Sequence, residues 1–382
     1  MSLLDTESAF KILARARALE AEGRSIIHME IGQPDFPTPG NIMDAACSAM
    51  RGGHTGYTPT PGYPEVRQTI ADYVEKYKGV KSSKEEVIIT PGGKPVIFFT
   101  MQMLVDDGDE VVYPNPSFPI YESCIKFSGG VPVPIPLRAD KGFAMDIDML
   151  KRSVNEKTKL VLLNNPGNPA GGVSPREDIL AIAELLQKFP RVMVLSDEIY
   201  DRLVYDGGVT SIATAPGMKD RVIILDGLSK TYAMTGWRLG YGIMHPELAT
   251  QMELLMVNSF SCTSAFSQIA IIEALNGPQD AADVIRNAFR ERRDYLVAGL
   301  NAIDGINCPM PGGAFYVFPD ISGFGVHCDE FADRLMNEGG VAAASGTAFG
   351  KFGEGHIRFS YATSLDNIKI AVERIAAFVK TL

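Results

Sequence analysis

Five short apolar runs do most to restrict what this chain can fold into. Val87-Ile88-Ile89, Glu110-Val111-Val112-Tyr113, Leu160-Val161-Leu162-Leu163, Val192-Met193-Val194-Leu195 and Val222-Ile223-Ile224-Leu225 are each followed by a turn and a helical stretch. They are apolar at odd and even positions alike, as expected of strands covered by helices on both faces; a strand with one wet face would alternate. Strand, turn and helix in that rhythm predict an α/β fold with a mainly parallel sheet. Ahead of them, Ser8 to Glu22 reads as a helix, with Phe10, Leu13, Ala14 and Ala18 on one side and Gly23 as its stop. After about residue 275 the rhythm changes. A long helical stretch from Gln279 to Ala302 leads into the short runs Ala314–Phe318 and His356–Tyr361, then an amphipathic helix from about Leu365. This second pattern predicts a smaller α+β domain, and 382 residues exceed what one core usually supports. With no repeat or low-complexity linker, the join is expected inside a helix.

Charge and cysteine usage narrow the function classes. The net charge of −10 disfavours nucleic acid or an anionic membrane surface as partner, because both are polyanions. Cys47, Cys124, Cys262, Cys308 and Cys328 are scattered with no CxxC pair, so neither a disulfide framework nor a zinc site is suggested. His28, His54, His245, His327 and His356 show no metal-like spacing either, and no metal is expected. No apolar run reaches the ~20 residues that span a bilayer, and the start lacks a secretory pattern. A cytoplasmic location is expected.

In open parallel sheets, ligands sit beyond the carboxyl ends of the strands, so the polar residues after each run are the candidates. Ile89 is followed by Thr90-Pro91-Gly92-Gly93-Lys94 and then a helix. Free backbone N–H groups at such a helix start suit a phosphate, although most Gly-Gly turns are only turns. Leu163 is followed by Asn164-Asn165-Pro166-Gly167-Asn168-Pro169, by itself an ordinary turn composition. Leu195 is followed by Ser196-Asp197-Glu198-Ile199-Tyr200. An acid at a buried strand end needs a cationic or donor partner, either a metal ion or a protonated ring nitrogen. Leu225 is followed by a loop carrying Ser229 and Lys230, with Arg238 eight positions on. A lysine is usually a solvated surface group; one buried after a strand becomes a nucleophilic amine, as Schiff-base chemistry requires. Together these loops fit an aromatic, cationic-ring, phosphorylated aldehyde.

The motifs Asn-Pro-Gly-Asn-Pro, Ser-Asp-Glu-Ile-Tyr, Ser-Lys followed by Thr-Gly-Trp-Arg-Leu-Gly-Tyr, and Gly-Gly-Ala-Phe-Tyr, in this order, resemble the class I/II aminotransferases of pyridoxal 5′-phosphate (PLP) fold type I. The resemblance covers essentially the whole chain and is strongest to the aspartate aminotransferase-like subgroup. It implies a mainly parallel seven-stranded sheet with helices on both faces, plus a smaller α+β domain. Residues 1–38 would form an N-terminal segment associated with the small domain, 39–278 the large PLP-binding domain, and 279–382 the small domain. A homodimer with shared active sites is implied. Lys230 would form the Schiff base and then carry the proton between Cα and the cofactor. Asp197 would pair with the pyridine N–H, and Tyr200 and Asn168 with the ring O3′. Phe118 would stack on the ring, while Gly93, Lys94, Ser229 and Arg238 would hold the phosphate. Tyr57 would reach the phosphate of the partner subunit. Arg358 would clamp the substrate α-carboxylate, with Gly32 leaving room for it.

Two departures from the common pattern stand out: Gly227 replaces the first serine of Ser-x-Ser-Lys, and Ala170 replaces a threonine. The expected activity is reversible amino transfer between an L-amino acid, aspartate or glutamate favoured, and a 2-oxo acid. Lys94 matches a position that recognises acidic side chains, but would equally be an ordinary residue at a helix start. The alternatives are a C–S β-lyase and an aromatic- or alanine-type aminotransferase. A PLP-sensing regulator is disfavoured, because Gly32-Gln33-Pro34-Asp35 begins too early for a preceding DNA-binding domain and the charge is acidic.

Overall fold

A computed structural model describes residue 4 and residues 8–382. Helix α1 (Ser8–Ala21) leads to the short strand β1 (Ile27–His28), then α2 (Gly40–Arg51) and α3 (Pro64–Lys78). There follow β2 (Val87–Thr90), α4 (Lys94–Leu104), β3 (Glu110–Asn115), α5 (Ile120–Phe127), β4 (Val131–Pro136), α6 (Ile147–Ser153) and β5 (Thr158–Asn164). Next come α7 (Arg176–Gln187), β6 (Met193–Asp197), β7 (Val222–Gly227), β8 (Gly240–Ile243), α8 (Pro246–Val257), α9 (Ala265–Asn276) and α10 (Asp280–Asn301). The chain ends with β9 (Tyr316–Val317), α11 (Cys328–Arg334), β10 (Val341–Ala342), β11 (Ala344–Ser345), β12 (Ile357–Ser360) and α12 (Leu365–Phe378).

Seven strands form one sheet in the order β2-β8-β7-β6-β5-β3-β4. Only β8 runs against its neighbours. Alternate residues of one strand enter opposite cores, which is why these strands lack a polar face. Val161 and Leu163 join the core capped by α2, α3, α6, α7 and α9. Leu160 and Leu162 join the one capped by α4, α5 and α8.

Two strands escaped the reading of apolar runs. In β4 (Val131-Pro132-Val133-Pro134-Ile135-Pro136) every second residue is proline. As the edge strand, β4 pairs only with β3, so the missing N–H groups fall on the open side. In β8 Gly240 is required by close approach. A Cβ on Gly240 would lie 2.5 Å from the backbone of Gly92, so the Gly92–Gly93 turn rests directly on this strand.

A third core gathers Phe289, Leu296, Leu300, Phe315, Phe359 and Ile375, together with Ile27 and Met29 from the N-terminal side. Strand β1 pairs in parallel with β10, and β11-β12-β9 form a small antiparallel sheet. Helix α10 bridges two cores: Ala282 belongs to that of the large sheet, Ile285 onward to this one. Among the described residues no helix is long and apolar enough to cross a membrane.

Candidate active site

Strands β5, β6 and β7 run parallel, so their carboxyl ends, Asn164, Asp197 and Gly227, lie along one edge of the sheet. Asp197 is 5% exposed. Its Oδ2 accepts the Tyr121 hydroxyl at 2.6 Å and its Oδ1 the Ile199 N–H at 3.2 Å. Burial pushes the carboxyl up to about 6, Tyr121 and Ile199 pull it down, and Glu198 pushes it up. A carboxylate so placed is stabilised by any cation that enters the site.

Lys230 leaves the loop after β7 half-buried, and its Nζ donates to the Gly32 carbonyl at 2.6 Å. The rings of Tyr200 and Phe315 lie 5.9 and 5.7 Å from that nitrogen. The Tyr200 and Tyr316 hydroxyls share a hydrogen bond of 2.9 Å. Burial drives the Tyr200 phenol well above its usual range, and Tyr316 adds to this. Gly32 has to be glycine here, because a Cβ would sit 2.1 Å from the Tyr316 hydroxyl oxygen.

Arg358, on β12, is buried. One guanidinium nitrogen donates to Asn168 Oδ1 at 3.1 Å and another to the Glu30 carbonyl. The guanidinium lies over Tyr316 and Phe349 at 4.6 and 4.7 Å from the ring centres. The Asn168 backbone N–H donates to Asn164 Oδ1 at 2.8 Å. With its Oδ1 toward Arg358, Asn168 keeps the amide Nδ2 as a donor.

A second group surrounds the Gly92–Gly93 turn. Gly92 has φ +85°, and a Cβ there would lie 2.2 Å from a terminal nitrogen of Arg238. Arg238 itself has φ +54°, and its guanidinium donates to the Thr235 and Pro91 carbonyls at 2.9 and 3.4 Å. It is exposed, while Ser229 is buried. Lys94 is the first residue of α4 with Gly93 as its N-cap, an exposed position with Nζ 5.8 Å from the Phe118 ring. Phe118 meets Tyr121 edge-on at 5.7 Å. Tyr57 is 92% exposed and makes none of these contacts.

Lys230, Gly32, Tyr200, Asn168 and Arg358 thus come together through Tyr316 and Glu30, and Tyr121 joins Asp197 to Phe118. Gly93 and Arg238 meet at Gly92. Reasoning from sequence missed Tyr121, Tyr316 and Glu30, and gave Gly92 no role beyond its turn. Tyr316 stood inside a recognised motif without a role, and Tyr121 has the pattern of a core aromatic. Away from this region, the ligand atoms of His327, Cys328 and Asp329 lie within 4.8 Å of one another. Helix capping accounts for that group: His327 Nδ1 accepts the Asp329 N–H, and Glu354 accepts the Cys328 N–H.

The site supplies what a phosphorylated pyridine aldehyde requires: an amine, a buried acid for a ring cation, and a glycine turn at the start of a helix. Comparison with known proteins agrees. Residues 24–375 match the family described as aminotransferase class I and II. An aspartate aminotransferase from Bacillus sp. (strain YM-2) is 38% identical, over 99% of this chain and 97% of its own length. A Thermus thermophilus aspartate aminotransferase solved with maleate superimposes with a TM-score of 0.93 at 35% identity, over 98% and 97% of the two chains. An alanine aminotransferase from Pyrococcus furiosus gives the same TM-score at 32% identity, over 99% and 98%.

Proposed function

The chain belongs to the class I and II aminotransferases, enzymes that depend on pyridoxal 5′-phosphate, and we propose that it prefers acidic amino acids. It would move the amino group between aspartate or glutamate and a 2-oxo acid. The observation that carries the chemical part of this reading is the buried Asp197 carboxyl, lifted toward neutrality, on the sheet edge that also carries Lys230. A protonated ring nitrogen would give that carboxyl a cation at close range.

When bound, the cofactor supplies a sink for the electron pair left at Cα. Lys230 would hold the cofactor through its amine, with loss of water from the aldehyde, and would carry the proton to and from Cα. Asp197 holds the proton on the ring nitrogen, and Tyr121 orients the carboxylate. Tyr200 and the Asn168 amide donate to the ring oxygen, and Phe118 stacks on the ring. Gly93 and Lys94 N–H groups, Ser229 and Arg238 bind the phosphate. Arg358, oriented by Asn168, Glu30 and Tyr316, grips the substrate α-carboxylate, and Gly32 leaves it room.

The acidic preference rests on the aspartate aminotransferases among the relatives, one of them solved with a dicarboxylate, and on the exposed Lys94 ammonium near the Phe118 ring. We also infer a homodimer, in which Tyr57 reaches the partner subunit's phosphate, with domain limits at residues 38 and 278. Five unpaired cysteines support a cytoplasmic location.

The test is a donor and acceptor panel with 2-oxoglutarate, oxaloacetate and pyruvate. Aspartate and glutamate are expected to give the highest kcat/KM. Faster turnover of alanine or an aromatic donor would overturn the substrate assignment. With one amino acid and no oxo acid, reaction should stop after about one equivalent, whereas continuous release of product would make the enzyme a lyase. Lys230→Ala should abolish steady turnover.

A further inference from the structure

Behind the site lies a buried cluster of charges that takes no direct part in the chemistry. Lys78, the last residue of α3, places its Nζ 3.0 Å from Glu198 Oε2, 2.5 Å from Asp201 Oδ2 and 2.9 Å from Asp226 Oδ2. Its side chain is 4% exposed, and none of the acids exceeds 10%. An ammonium has three protons, and here each finds one carboxylate. Glu198 and Asp226 also accept further hydrogen bonds. Ser196 and Ser211 donate to Glu198 Oε1, the Gly227 N–H to Asp226 Oδ1, and the Tyr241 hydroxyl to Asp226 Oδ2. Burial alone would drive the proton off Lys78, but Asp201, Asp226 and Glu198 outweigh it and hold the amine charged.

The placement of the three acids in the sequence gives the cluster its meaning. Along Asp197-Glu198-Ile199-Tyr200-Asp201, residues 197 and 200 belong to the site, while 198 and 201 turn back to Lys78. The β7 segment repeats this division: Asp226 faces Lys78, and Ser229 and Lys230 follow it into the site. One amine therefore ties together, from behind, the two segments whose front sides carry the groups that meet the cofactor.

We propose that Lys78 is a positioning residue, whose ammonium fixes the ends of β6 and β7 so that Asp197, Tyr200 and Lys230 converge on one ligand. This rests on the reading of the site as a PLP site. A buried ion cluster serving the fold alone would matter to unfolding and to nothing else. As a positioning device it must also govern how rigidly the ring is held.

The experiment reconstitutes wild type and Lys78→Met with PLP. It reads the dissociation constant, the visible-region circular dichroism of the bound chromophore, and kcat separately from KM. In folded Lys78→Met, PLP is expected to bind on the order of tenfold more weakly, with the visible dichroism at least roughly halved. The kcat should fall on the order of 100-fold, because small misplacement of reacting groups costs that much, with KM changed far less. Dissociation constant, dichroism and kcat/KM within about twofold of wild type, alongside a lowered unfolding temperature, would overturn the proposal. If Lys78→Met does not fold, Asp201→Asn loosens only the β6 segment. It should move the same readings in the same direction by less, and unchanged readings there overturn the proposal equally. Wild type that fails to bind PLP would instead refute the site assignment itself.

Discussion

Asp197→Asn is expected to stabilise the cofactor-free protein at pH 8 while disabling the enzyme. Burial, only partly offset by the hydrogen bonds from Tyr121 and Ile199, lifts this carboxyl from 3.8 to about 6. The folded protein therefore holds the proton more tightly than the unfolded chain. Stability falls as pH rises from about 4 to 6 and levels off above that. At 1.36 kcal/mol per pH unit, the penalty reaches about 3 kcal/mol near pH 8. It vanishes below pH 4, where both states are protonated. Asparagine carries no charge at any pH and so removes the penalty. It accepts the Tyr121 hydroxyl or the Ile199 N–H less well, which costs about 1 kcal/mol throughout. The variant should thus gain about 2 kcal/mol at pH 8, and about 1.5 kcal/mol of its advantage should disappear by pH 5. Urea midpoints of both cofactor-free proteins at pH 5, 6, 7 and 8 measure this. A difference that stays constant over the series, or grows toward acid, would refute the claim that Asp197 is destabilised by desolvation. With PLP bound the order should reverse, because wild type gains the ion pair with the ring. The kcat of the variant should fall on the order of 100-fold or more.

Gly32→Ala should push Tyr316 away, since the added carbon would lie 2.1 Å from its hydroxyl. A cost of about 1–3 kcal/mol in stability and on the order of 100-fold in kcat is expected, read from unfolding and steady-state assays. Wild-type kinetics would show that the Tyr200–Tyr316 pair is dispensable. Arg358→Lys should lose about 2 kcal/mol of carboxylate recognition, roughly 30-fold in kcat/KM, for acidic and neutral amino acids alike. An undiminished kcat/KM would remove Arg358 from the substrate site. Lys94→Ala should lower kcat/KM for aspartate and glutamate more than for alanine. Equal losses across donors would make its charge irrelevant to specificity.

The sheet was legible wherever burial alone decides a strand. Leu160 to Leu163 face two cores, so their uninterrupted apolarity announced both the strand and its cover. Strands β4 and β8 were not legible. The prolines of β4 are tolerable only because that strand ends up at an edge, and Gly240 of β8 is explained only by the turn that lies against it. Both facts concern neighbours, which a local pattern does not contain.

The same division runs through the site. Asp197 and Lys230 stand out in sequence because polar residues at or just after the ends of buried strands carry a desolvation cost that demands a partner. What supports them depends on chain segments far apart. Tyr121 meets Asp197 across 76 positions, Lys230 meets Gly32 across 198, and Arg358 meets Asn168 across 190. A core tyrosine and a tyrosine aimed at a carboxylate look alike until the helix carrying them is packed. Lys78 is the clearest case: at the end of a helix, before Gly79, it reads as a solvated cap. By itself the sequence determined which strand ends carry chemistry, because burial of a periodic chain is a local property. Only the tertiary structure decided which amines and hydroxyls neutralise and aim that chemistry, because a charge finds its partner through space.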